Sequence, residues 1–324
     1  MLVPVKAPAP KTGTEEIWLP LLDPVDVLKF VEDEMGLVCP QHILHEFWGH
    51  LRDVVHNRWA MQCPATRDHV PISLYGDECR YSEGATVMKC TGFFLSLSLW
   101  RPLNTKYSNF LLCNFRTERS LGPKTLFPIL QRIVWSCNHA FSGLYPVVGP
   151  RGEALTAAQQ RKKGKSITKR GTKYVVYELK GDWQWHVMSF CFLKCSWAAK
   201  FVCPQCLATS LGNQNLFCEF GDEASWRNTR LTTLGFINQF VRPRGPVCQG
   251  PSFPFSRKYV QLRSNLVHCT APPPVSIRGP YLGLVGFDVS MIRFCSMHCC
   301  NLGLNFTCSG GALTFAFKFS LPPP

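Results

Sequence analysis

The segment Thr125 to Tyr145 constrains the fold of this chain more than any other. Leu126, Ile129, Leu130, Ile133, Val134, Cys137, Phe141 and Leu144 recur at helical spacing and form one continuous apolar face. Before it, three short runs read as strands: residues 70–76, in which Val70, Ile72 and Leu74 alternate with polar neighbours, Ala85 to Trp100 as one or two strands, and Asn109 to Phe115. After it, Tyr174 to Leu179 reads as another. A helix of this length is the connection that a parallel strand pair requires, whereas the short links before it suit antiparallel neighbours. The expectation is an α/β fold: a mixed β-sheet with flanking helices.

The strands on either side of that helix each end in the same dipeptide, Gly76-Asp77 and Gly181-Asp182. Were they parallel neighbours, their ends would bring two carboxylates together that are far apart in the chain. Such a pair repels unless a divalent cation lies between, and Mg²⁺ takes hard oxygen ligands, water and substrate phosphate. The bland alternative is that Gly-Asp after a strand is a turn. The order of strands and helix between the two acids is the one that separates the first two acids of a ribonuclease-H-like nuclease or transposase core, so RNase-H-like topology is the specific expectation, with Asp77 and Asp182 as catalytic residues. A third acid is needed. Asp288 and Glu219 are the foremost candidates, with Asp222 and Glu223 beside them.

Around this core, 63–200, the chain divides by composition. Residues 1–20 are rich in proline and read as a disordered leader. Residues 21–62 form an N-terminal helical region, with Asp23-Pro24 as a start signal and Pro40 to Trp59 as one amphipathic helix. Residues 201–240 hold Cys203-Pro-Gln-Cys206, the spacing of a zinc knuckle, in which a tight turn aims two thiolates at one tetrahedral metal. His186, Cys191, Cys195 and Cys218, or His298, Cys299 and Cys300, are the partners such a zinc would need. Residues 241–324 read as an irregular, cysteine-rich and truncated C-terminal region.

The charge of +14, from 35 basic against 21 acidic residues, suits a polyanionic partner, and DNA is the one expected. Its densest part contains Arg161, Lys162, Lys163, Lys165, Lys169, Arg170 and Lys173 without an acid. These read either as phosphate contacts or as a solvated, mobile loop. The 17 cysteines are scattered and follow no signal peptide, which points to reduced thiols and an intracellular setting, the nucleus included. The most apolar stretch, Thr91 to Trp100, is too short to cross a membrane.

Other chemistries find little footing. In His45-Glu-Phe-Trp-Gly-His50 the histidines are five apart, about 140° around a helix, where a zinc protease needs them four apart on one face. His42, His45 and Glu46 read as the polar side of an amphipathic helix. The chain has no glycine-rich nucleotide loop and no Gly-x-Ser-x-Gly elbow.

Several short motifs taken in order carry a resemblance: Cys63-Pro-Ala-Thr with His69-Val-Pro-Ile-Ser-Leu-Tyr-Gly-Asp-Glu78, then Leu179-Lys-Gly-Asp-Trp183, Phe201-Val-Cys-Pro-Gln-Cys-Leu-Ala208 and Met297-His-Cys-Cys-Asn-Leu-Gly303. Over about residues 40–310 the chain resembles a set of dinoflagellate proteins that look like relics of cut-and-paste DNA transposons of a CACTA-like type. The resemblance implies an RNase-H-like transposase core, Asp77 and Asp182 as its first two acids, and a zinc-binding insertion holding Cys203 and Cys206. It also implies an aspartate where this chain has Cys295. A transposon-derived protein with a degenerate site follows. The rival expectations are a non-enzymatic, zinc-stabilised nucleic-acid-binding module and a poorly folded, pseudogene-like product.

Overall fold

Pro123 opens a 20-residue helix, Pro123–Ser142, and Gly143, in the left-handed region at φ 71°, ends it. Both ends follow ordinary rules: proline fits the first helical turn, and glycine adopts left-handed dihedrals without steric cost. Leu126, Ile129, Leu130, Ile133, Val134, Cys137 and Ala140 are buried along it. This helix is the spine of the domain. The computed structural model describes residues 1–9, 13–63, 68–82, 88–100, 102, 108–150, 152–190, 203, 205–209, 214–216, 223–240 and 279–294.

In chain order the strands are β1 (Leu2–Ala7), β2 (Glu15–Pro20), β3 (His69–Arg80), β4 (Lys89–Leu97), β5 (Asn109–Arg116), β6 (Lys173–Gly181) and β7 (Ile292–Phe294). The helices are α1 (Pro24–Asp33), α2 (Gln41–Gly49), α3 (Arg58–Gln62), α4 (Pro123–Ser142), α5 (Ala157–Gln160), α6 (Trp183–Phe190) and α7 (Thr233–Phe240). The main sheet runs β5-β4-β3-β6-β7. β3, β4 and β5 are antiparallel neighbours, β6 is parallel to β3, and β7 is parallel to β6. The architecture is therefore mixed α/β, a multi-strand sheet flanked by helices, and α4 makes the crossover from β5 to β6.

Where residues 1–20 read as a disordered leader, the described residues form two strands. Leu2–Ala7 and Glu15–Pro20 pair antiparallel from Leu2↔Pro20 to Ala7↔Glu15. Val3, Val5 and Ala7 alternate with Leu2, Pro4 and Lys6, and that period of two buries the first set. Thr125 of α4 donates its hydroxyl to the Lys6 carbonyl, which ties the hairpin to the spine. Proline-rich composition hid a two-stranded unit because Pro4 sits on a strand bordered by only one partner, where a missing N–H is tolerated.

Asp23 caps α1 as expected, accepting the Val25 N–H at 3.2 Å. It also takes the Ser136 hydroxyl and pairs with Arg132 at 3.0 Å, so the same carboxylate joins α1 to α4. Pro40 to Trp59 is not one helix. α2 stops at Gly49, a π-helical turn covers His50–Val54, and α3 begins at Arg58 after His56, whose φ is 50°. The break lets Trp48 and Trp59 enter the same core, with ring centroids 5.6 Å apart, and leaves Val54 and Val55 in solvent.

Of residues 241–324, read as irregular, 279–294 are described, and they belong to the core. Tyr281, Leu282, Leu284, Phe287, Val289, Met291 and Ile292 are buried in the same core as the helices and the sheet. Backbone groups of this segment are held from afar: Asn138 donates to the Gly283 carbonyl at 2.8 Å and accepts the Val285 N–H at 2.9 Å, and Trp59 donates to the Gly286 carbonyl at 2.6 Å. Asn138→Ala would leave a donor and an acceptor buried without partners. The expected loss is about 2 to 3 kcal/mol of unfolding free energy, measured by urea titration.

Candidate functional site

Gly76 and Gly181 are the last residues paired between β3 and β6. Asp77 and Asp182 follow them, so each acid stands one step beyond the same rung. The sheet splits here: β3 continues beside β4 through Asp77↔Gly92 to Arg80↔Lys89, while β6 leaves into α6. The carboxyl ends of parallel strands, where neighbouring chains part, are where α/β sheets bind ligands.

The two glycines have a packing cause. Trp185 of α6 lies over both: a Cβ on Gly76 would stand 1.9 Å from its Cε2 and Cζ2, and one on Gly181 would stand 2.3 Å from its Cδ1. The indole is fully buried and meets Phe93 edge to face at 5.1 Å. Thus the turn reading of Gly76-Asp77 fails, since Asp77 is inside a strand and the glycine admits a tryptophan. Along β3, side chains alternate, so Asp77 shares a side with Tyr75, opposite to the side that Trp185 covers. Tyr75 donates its hydroxyl to Asp77 Oδ2, and the Glu78 N–H donates to Oδ1 at 2.7 Å. Gly92 opposite presents no side chain against it.

Asp182 accepts the Trp185 N–H at 2.6 Å, and its carbonyl accepts the His186 N–H at 3.2 Å. It therefore starts α6 as an N-cap would, which is a structural duty beside any catalytic one. His186 is fully buried; its Nε2 meets the Arg293 carbonyl at 3.0 Å, and burial pushes its pKa down to about 4. That contact joins α6 to β7.

Glu178 is an acid that sequence reasoning passed over. Burial works against its charge, but Lys180 at 2.8 Å and Arg293 at 3.5 Å hold it below the usual carboxylate range, and Ser73 donates to it at 3.1 Å. A bulge in the β3–β6 ladder lies between the rungs of Ile72 and Ser73, and Glu178 pairs with Ser73. Ser73 and Asp77 are four positions apart on one strand, roughly 13 Å, so Glu178 cannot share a cation with Asp77.

Asp288 stands elsewhere. It is buried, accepts the Thr233 hydroxyl at 2.6 Å and the Ser290 N–H at 3.0 Å, and ties α7 to the turn before β7. Those bonds keep it ionised against the cost of burial. Among the described residues no three His, Cys, Asp or Glu side chains come close enough to hold one metal ion. Asp77, Asp182 and Asp288 are thus not brought together. Glu219, Asp222 and Cys295 lie outside the described residues; β7 ends at Phe294, in register with Gly181.

Cys203 and Cys206 do approach each other. The Gln205 N–H donates to Cys203 Sγ at 3.3 Å, as backbone amides do around thiolates in a tight turn. The Cys203 thiol, assisted by the Ala208 amide and Arg230, holds Cys206 down at about 7, while the same contact and burial push Cys203 up. Gln205 anchors the turn on the β7 segment through the carbonyls of Val289 at 3.2 Å and Ile292 at 2.7 Å. His186 is committed to Arg293 as described, and Cys191, Cys195, Cys218, His298, Cys299 and Cys300 lie outside the described residues.

The basic segment is held, not loose. The Tyr145 N–H donates to the Lys165 carbonyl at 2.9 Å, the Ile167 N–H to the Gly143 carbonyl at 3.0 Å, and Ile167 and Thr168 are buried. Its seven cationic residues, Arg161, Lys162, Lys163, Lys165, Lys169, Arg170 and Lys173, are all exposed. Lys173 begins β6 and Asp182 follows its end, which separates these two residues by about 30 Å of strand. His42, His45 and Glu46 are exposed on α2, as an amphipathic helix requires. Among the described residues no helix is long and apolar enough to cross a membrane. Comparison of the chain with protein-family models, with curated proteins and with solved structures finds no match.

Proposed function

We propose that this chain is a transposon-derived protein with a ribonuclease-H-like core, whose metal-dependent phosphodiester site keeps Asp77 and Asp182 and lacks its third acid. The observation that carries this reading is the register Gly76↔Gly181, which aligns the two Gly-Asp steps on parallel neighbours. The strand order supports it: three antiparallel strands, then two parallel to the first, with a long helix between the third and fourth, is the arrangement expected of such a core. Two half-buried carboxylates fit a Mg²⁺ ion that keeps most of its water, since that ion is usually bound through one or two carboxylates. Bound there, it would polarise a DNA phosphate and activate the attacking oxygen. The chain's own part would be to fix the two acids: Tyr75 and the Glu78 amide orient Asp77, and the start of α6 orients Asp182.

The test restores the acid that the resemblance implies. Cys295→Asp is expected to nick supercoiled DNA in Mg²⁺ at least about tenfold faster than the unaltered chain, and Asp77→Asn in that background to abolish the gain. Mn²⁺ binding, followed by water-proton relaxation, should weaken in both Asp77→Asn and Asp182→Asn. Equal, metal-independent nicking by all variants together with unchanged Mn²⁺ binding would overturn the proposal.

A second reading rests on the amide-to-sulfur contact around Cys203 and on the lowered Cys206 thiol. In it, the chain is a zinc-stabilised DNA-binding module without catalysis. Stoichiometric zinc in the purified protein, with no nicking by Cys295→Asp, would favour it. Both readings require DNA affinity that falls steeply with salt, because cations such as Lys163 and Arg170 would displace condensed counterions.

A further inference from the structure

Two residues beyond the Asp77↔Gly92 rung, Cys79 of β3 faces Cys90 of β4 directly across the antiparallel ladder. Their Sγ atoms are 3.1 Å apart, and Cys79 is exposed while Cys90 is half-buried. Opposite residues of an antiparallel pair have Cα atoms about 4.5 to 5.5 Å apart, within the span that a disulfide bridges without moving the backbone. Cys79 lies two positions along from Asp77, so both are on one side of the strand. Burial and the hydrogen bond to Cys79 push the Cys90 thiol up to about 11, with that bond the larger cause. Cys79, the more exposed of the two, is the sulfur an oxidant meets first.

We propose that Cys79 and Cys90 form a reversible disulfide that pins the β3–β4 ladder beside Asp77, with a low-molecular-weight disulfide such as oxidised glutathione as the oxidant. The Cys79 thiolate attacks one glutathione sulfur and expels glutathione thiolate. The deprotonated Cys90 then attacks the Cys79 sulfur of the mixed disulfide and releases the second glutathione. Two electrons pass to the oxidant, and the two protons leave through solvent to the glutathione thiolates. The bridge stands or falls independently of any metal at Asp77, because it needs only the facing thiols.

The full chain, reduced and then equilibrated in glutathione buffers of stepped redox poise, tests this by differential alkylation and peptide mass spectrometry. Cys79 and Cys90 are expected to lose reactivity together, to appear as one cross-linked peptide pair, and to recover with dithiothreitol. Oxidation should raise Tm by roughly 5 °C, by restricting the unfolded chain, and should not do so in Cys90→Ser. Alkylation of both thiols across the whole series, a stable glutathione adduct on Cys79 alone, or a bridge from either residue to another cysteine would each overturn the proposal. The mapping is done on the unaltered sequence, so it does not depend on how the variant folds.

Discussion

Lowering the pH from 7 to 5 is expected to remove about 6 kcal/mol of folding stability, about 2 kcal/mol for each of His69, His139 and His186. Burial pushes each of these imidazoles down to about 4 in the folded chain, whereas an unfolded histidine titrates near 6.5. Above about pH 6.5 both states are neutral, and the three residues contribute no pH dependence. Between 6.5 and 4 the unfolded chain takes up protons that the folded chain refuses, so stability falls with pH and levels off below 4. The depressed carboxylates Asp33, Glu178 and Asp288 act in the same direction lower down, since each favours its ionised form when folded. Urea titrations at pH 7, 6 and 5 with a constant m-value measure the slope. His186→Gln should flatten it by about a third, and a midpoint that does not move between pH 7 and 5 would refute the assignment.

Gly76→Val should be the most damaging single substitution near the acids, at about 3 kcal/mol. The added carbons collide with an indole that is itself walled in by Phe93, so relief requires Trp185 to leave its place or β3 to shift against β6. Gly181→Val should behave alike. A double-mutant cycle separates this cause from loss of backbone freedom: in a Trp185→Leu background the cost of Gly76→Ala should fall by more than half. Near-ultraviolet circular dichroism would follow the indole directly. Because Asp182 accepts the Trp185 amide, displacing that residue should also disorder the second acid and weaken Mn²⁺ binding.

How much of this was legible beforehand varies by element. The spine helix and the strand of Asp77 announced themselves by their periods, and the other three strands of that group by short runs of strand-forming residues. The turn alternative for Gly76-Asp77 could not be dismissed locally, because a glycine required by a tryptophan a hundred residues later looks like a glycine required by its own φ. The hairpin of residues 2–20 was obscured by prolines that an edge strand tolerates. β7 is three residues long, too short to show alternation, and becomes a strand only because β6 offers it an edge. For the site, the parallel alignment of Gly76 with Gly181, one residue before each acid, was inferable from element order alone. The placement of Asp288 was not, since its bonds to Thr233 and Ser290 depend on how α7 packs.

The stitches between residues 279–294 and the rest of the core have a consequence for synthesis. Trp59 waits 227 residues for the carbonyl of Gly286, and Asn138 waits 145 for that of Gly283. At the pace of a ribosome the first interval lasts roughly 10 to 45 s. Throughout it the indole of Trp59 is available to other chains, and from the completion of β6 the open edge of that strand is too. The yield of such a chain in a cell is expected to follow chaperone supply more closely than its final stability, since Ile292–Phe294 must emerge before the edge of β6 is covered.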